Sequence, residues 1–176
     1  MGRREGAVAL LLAVLMTFCA AAPRTGGAQA TRTRTCAAGQ VRLEVTAADS
    51  VMSQPFVDIA VIDTGPASCT LRGYPRLRAP GHRLRVRHGV YERGDPRPTS
   101  VAVRPGRGAV FSVGTATAYQ GGRRLTTLSR LAVVLPGSDT ALPVRVDLPA
   151  TRPAGRAFPV GVTAITPARR TGTPRR

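Results

Sequence analysis

Short stretches in which apolar and polar residues alternate fill most of this chain, and Pro or Gly separates nearly every one from the next. Val41, Leu43 and Val45 alternate with Arg42, Glu44 and Thr46, the period of a strand with one buried face. Val57, Ile59 and Val61 share a face of the next run, and Ala60 and Ile62 soften the other, which suggests a central strand. Cys69, Leu71 and the Tyr74 region form a third; Leu84 and Val86, set among Arg83, Arg85 and Arg87, form a fourth. Val101 and Val103 lead into Arg104-Pro105-Gly106-Arg107-Gly108, a run suited to chain reversal. Ala109, Phe111 and Val113 follow, Gly121-Gly122 interrupts, and Leu131, Val133 and Leu135 run to a Pro136-Gly137 turn. Val144 and Val146, then Phe158, Val160, Val162 and Ala164, complete the pattern. No stretch holds a helical period. About eight short strands at this spacing predict an all-β fold, an antiparallel immunoglobulin-like β-sandwich in a single domain, with a closed barrel as the structural alternative. The chain has no Trp, so the immunoglobulin likeness concerns architecture and not the core ring of antibody domains.

The N-terminus departs from this pattern. Arg3 and Arg4 precede an uncharged apolar run from Ala7 to Phe18, and small residues lead to Ala28-Gln29-Ala30. That is the layout of an export signal cut after Ala30, with residues 1–30 as signal peptide. The run falls short of the roughly 20 residues that span a bilayer, so no transmembrane helix is expected after cleavage. Cys19 as a lipidation site is the weaker alternative, since Phe18 stands where a small residue belongs. The Arg3-Arg4 pair hints at twin-arginine export, but Glu5-Gly6 follows it in place of bulky apolar residues. Residues 31–35 read as a flexible lead-in, 36–167 as the domain and 168–176 as a basic disordered tail.

Cleavage leaves 176 − 30 = 146 residues, enough for one domain with a substantial core. It also leaves two cysteines, Cys36 and Cys69, and an even count in an oxidising compartment points to a disulfide between them. The formal charge is +17, and every Lys or Arg in the count is Arg; the chain has no Lys and also no Asn. Codons for both missing residues begin with two adenines, the pattern expected of a GC-rich genome, and on that reading the arginines form a solvated face swollen by codon supply.

Taken together, these features resemble a domain-of-unknown-function family found in exported proteins and lipoproteins of actinobacteria. Its members carry an early cysteine, a strand ending in an Asn-Thr-Gly-like turn, then Cys-x-Leu-x-Gly-Tyr-Pro and two later Pro-Gly turns. The matching positions here are Cys36, Asp63-Thr64-Gly65, Cys69-Thr70-Leu71-Arg72-Gly73-Tyr74-Pro75, Pro105-Gly106 and Leu135-Pro136-Gly137. Asp63 replaces the usual Asn, and a second cysteine pair common in the last third of the family is missing. The resemblance implies a β-sandwich outside the membrane and brings no established activity.

Candidate chemistry is sparse. His82 and His88 would share the Leu84 and Val86 face of a strand, but two histidines fall short of the three or four ligands zinc takes. No Gly-x-Ser-x-Gly elbow or phosphate-binding Gly-rich loop is present, so no catalytic residue, metal or cofactor is assigned. The arginines are the sharper feature. Read as a two-residue hairpin through Pro80-Gly81, the chain sets Arg78 across from Arg83 and Arg76 across from Arg85. Such a face would suit an anionic cell-envelope polymer or an acidic protein, by planar bidentate contacts. Nucleic acid is not expected beyond a membrane. A non-catalytic binding or structural module is the leading expectation, and a hydrolase of wall polymer the opposing one.

Overall fold

Alternation becomes pairing first in a long antiparallel hairpin. In a computed structural model, β1 (Val41–Val51) and β2 (Gln54–Asp63) set Val41 across from Asp63 and Val45 across from Ile59. A bulge between Val45 and Ala47 then shifts the register. The structure describes residues 34–51, 53–90, 95–105, 107–115, 125–151 and 157–168, all within the unit Arg32–Arg176. The expected signal peptide, Gly106, Gly121-Gly122 and the tail beyond Ala168 lie outside the described residues.

Apart from one 3-10 turn, Ala38–Gln40, the elements are strands. β7 (Ala109–Thr115) lies against β2, with Ile59 across from Phe111 and Val57 across from Val113. β10 (Phe158–Val162) follows β7, and β5 (Leu84–His88) forms the far edge, giving the order β1-β2-β7-β10-β5. β11 (Thr166–Pro167) pairs with the start of β7. A second sheet runs β4 (Arg76–Arg78), β8 (Leu125–Val134), β9 (Ala141–Thr151), and β3 (Cys69–Leu71) pairs with β6 (Val101–Val103).

The sheets meet through one apolar cluster. Val57, Ile59, Val61, Phe111 and Val113 from the larger sheet and Leu128, Leu131, Val133 and Leu148 from the smaller belong to it. Ile59, Leu128, Leu131 and Leu148 are almost wholly buried, and each such side chain contributes roughly 2 kcal/mol. β9 lies against β1, β2 and β7, and the Thr115 hydroxyl donates to the Pro149 carbonyl between the two sheets.

Two expectations need correction. The fold is all-β, but not wholly antiparallel: β5 runs parallel to β10, Leu84 beside Phe158 and Val86 beside Val160. Alternation reports which face is buried and carries nothing about strand direction. The arginine hairpin also fails. His82 N–H donates to the Ala79 carbonyl, so the Pro80-Gly81 turn forms, but pairing ends at the Ala79–His82 bridge. Beyond it β4 joins β8, with Leu77 across from Val133, while β5 joins β10. Gly81 has φ +74° after a proline, the shape of a type II turn, which splays flanking strands where a hairpin needs them to twist together. Arg76 therefore never faces Arg85.

Of the expected lead-in, residues 31–33 lie outside the described residues. Arg34 and Thr35 already lie alongside β3, where the Thr70 N–H donates to the Arg34 carbonyl at 2.8 Å.

Candidate anion-binding faces

The cysteine run builds the end of the domain on which the arginine strands are hung. Cys36 and Cys69 are disulfide-bonded, each about 1 % exposed, and the Cys36 N–H donates to the Thr70 carbonyl. Leu71 enters the core. Gly73 turns the chain at φ +117°, a region that disfavours any side chain, and its carbonyl accepts the Ile165 N–H. Tyr74 follows. Its ring stacks flat on His88 at 3.7 Å between centroids, and its hydroxyl donates to Asp95 Oδ1 at 2.6 Å. The hydrogen bond to the Asp95 carboxylate, followed by partial desolvation and the nearby negative charge, holds the phenol above its ordinary pKa.

The two histidines thus have separate roles. His88 is exposed and stacked, whereas His82 meets the Phe158 ring edge-on at 5.2 Å, with its Nδ1 buried and unpartnered. Among the described residues no group of three His, Cys, Asp or Glu is gathered that could hold a metal. The Ser112 hydroxyl donates to Asp58 Oδ1 at 2.5 Å, so its hydrogen is directed at a carboxyl group and not at an imidazole.

Arginines expected to form one face fall on two sheets. Leu77 and Ala79 point into the core, which turns exposed Arg76 and Arg78 outward on β4. Arg83 immediately precedes β5 and Arg85 and Arg87 lie within it, all three exposed. Sequence reasoning missed two more. Arg130 of β8 stands directly across from Arg145 of β9, and Arg78 stands across from Ala132, two residues along β8. Cores on either side explain the direction: Leu131, Val133, Val144 and Val146 are buried, so Arg130 and Arg145 point away. Their outward alternation was visible in the sequence; their register was not.

The outward face of β4-β8-β9 thus carries Arg76, Arg78, Arg130 and Arg145 around the small residues Ala132 and Pro143. Arg76 is paired, donating to Asp139 Oδ1 and the Ser138 carbonyl at 3.1 Å each. Asp147, two residues past Arg145, shares the face. Among the described residues Arg78, Arg130 and Arg145 make no ion pair, and neither do Arg83, Arg85 and Arg87. Cross-strand neighbours lie about 5 Å apart at Cβ, and like charges there are unfavourable unless water or an anion screens them. A guanidinium pair in this setting can hold an oxyanion between two planar forks.

These observations define an all-β, disulfide-closed domain with arginine-bearing outer faces. The chain belongs to the family described as domain of unknown function (DUF4232), whose model matches residues 36–168. No curated protein and no solved structure matches it.

Proposed function

We propose that the protein is an exported, non-catalytic module of the cell envelope or secreted fraction, a sandwich of immunoglobulin-like architecture that binds anionic polymer. One observation carries the reading: Arg130 and Arg145 oppose each other beside Arg78 with no carboxylate paired to them among the described residues. Export is supported by the disulfide and by the basic, apolar and small-residue succession at the N-terminus. Two sheets sharing one core support the sandwich, with the parallel β5–β10 pair as its departure from an all-antiparallel pattern.

The test is binding of long-chain inorganic polyphosphate, followed by calorimetry at low and raised salt. Replacing Arg78, Arg130 and Arg145 together by Gln is expected to weaken binding by about tenfold or more. Unchanged affinity in that variant, together with unchanged affinity when Arg76, Arg78, Arg83 and Arg85 are replaced by Gln, removes the reading. Preferential capture of an acidic polypeptide such as polyglutamate would replace the polymer with a protein partner.

A further inference from the structure

We infer that the protein has two separate polyanion sites, one on each sheet, and bridges two strands of a phosphate-bearing linear polymer. The inference rests on the anion-binding reading above and adds valency and ligand chemistry to it. Its starting point is the type II turn at Pro80-Gly81, where the chain leaves the smaller sheet and enters the larger one. Arginines contiguous in sequence are thereby divided. Arg78 joins Arg130 and Arg145 on β4-β8-β9, while Arg83, Arg85 and Arg87 follow the edge strand β5.

Each set faces away from the shared core. Leu77 on β4 is buried in the cluster, and Leu84 on β5 packs against the same cluster. Alternation then sends Arg78 and Arg85 to the outer sides of their respective sheets. Outer sides of two sheets that enclose one core look in different directions, so an extended polymer lying on one set leaves the other open.

The two sets also have the same charge. Each holds three exposed arginines without an ion pair among the described residues. Along β5 alternate residues are spaced by about 6.6 Å, so its three guanidiniums form a row that suits a linear chain of anionic groups. The cross-strand partners of Arg85 and Arg87 on β10 are Pro159 and Gly161, neither of which carries a long side chain, although the Gly89 carbonyl and Val90 lie over Gly161 beside Arg87. Arginine forks engage phosphate oxygens in pairs, and no lysine is present to act as a point charge. Two weak sites on one rigid body convert single contacts into crosslinks, as any bivalent binder does.

The experiment uses the full chain with two probes, tripolyphosphate for stoichiometry and long-chain polyphosphate for bridging. Calorimetry with tripolyphosphate should give two sites per molecule. R78Q/R130Q/R145Q and R83Q/R85Q/R87Q should each retain one site. With the long polymer, light scattering from the unaltered protein should rise to a maximum near equivalence and fall with excess polymer. Both triple variants should still bind the polymer and lose the scattering maximum. The charge-matched variant R97Q/R104Q/R107Q, altered at exposed arginines outside both sets, should keep it. A single site abolished by one triple variant and untouched by the other overturns bivalency while leaving anion binding intact. Equal loss of scattering in the charge-matched control overturns it too, in favour of bulk charge. No binding of either probe by the unaltered protein defeats the anion-binding reading itself.

Discussion

Two cross-strand pairs show how differently this molecule treats polar side chains inside and outside. On β2 and β7, Asp58 faces Ser112, and the hydroxyl donates to the carboxyl group at 2.5 Å. The Ser112 N–H donates in turn to the Thr163 hydroxyl, and the Thr163 N–H to the Ser112 carbonyl. Ser112 and Thr163 are both buried, where an unmade hydrogen bond costs free energy that water would otherwise return. On β8 and β9, Arg130 faces Arg145 with no such arrangement. Between β2, β7 and Thr163 the buried polar groups are matched, although Asp63 Oδ2 and His82 Nδ1 are buried without partners elsewhere. The arginine mismatch lies where solvent, or a ligand, can relieve it.

That contrast can be broken at several points. The largest effect should come from the sulfur link that ties Cys36 to β3. Replacing Cys36 and Cys69 together by Ala opens a loop of 33 residues and should cost roughly 3–4 kcal/mol, read from denaturant midpoints against the oxidised protein. A loss below about 1 kcal/mol would mean that the β3 pairing holds this end without covalent help. Ser112→Ala should cost about 1–2 kcal/mol by removing the hydrogen bond to Asp58, with no change in polyphosphate affinity. The smallest effect has the opposite sign. Arg145→Glu places an opposite charge across from Arg130 and should stabilise the fold by about 0.5 kcal/mol, while weakening polyanion binding. Destabilisation by Arg145→Glu would show that the arginine pair is not a mismatch at all.

Much of the fold was legible because period-two alternation is local. Val41–Val45, Val57–Val61, Ala109–Val113 and Phe158–Val162 all became strands with the expected buried faces, apart from Leu43 and Val45, which are half-buried. The cysteine link was legible from the even count of cysteines left after the expected signal peptide. Partner choice was not, because it depends on residues far along the chain. Arg76 to Arg87 looked like a self-contained hairpin, yet Leu77 pairs with Val133 and Leu84 with Phe158. Each half gains more apolar contact from those distant partners than from its neighbour across Pro80-Gly81. The same blindness hid Arg130 and Arg145, which are ordinary outward residues until register sets them opposite each other. Tyr74 on His88 is a third case, since the stack joins residues on either side of the sheet change. The turn at Asp63 was legible only as a turn. Its Oδ1 accepts the Gly65 N–H at 2.8 Å while Oδ2 is buried without a partner, a detail that needs three dimensions.

β10 carries one further consequence, which concerns time. It lies between β7 and β5, yet it is synthesised some seventy residues after β5 (162 − 88 = 74 between the strand ends). A chain emerging N-terminus first has no neighbour to offer β5 until residues 158–162 arrive, so docking of that edge is a late event governed by a long loop closure. Until then the Arg83–Arg87 stretch has no partner strand to fix its spacing. The far edge of the larger sheet thus takes shape only once most of the chain is available.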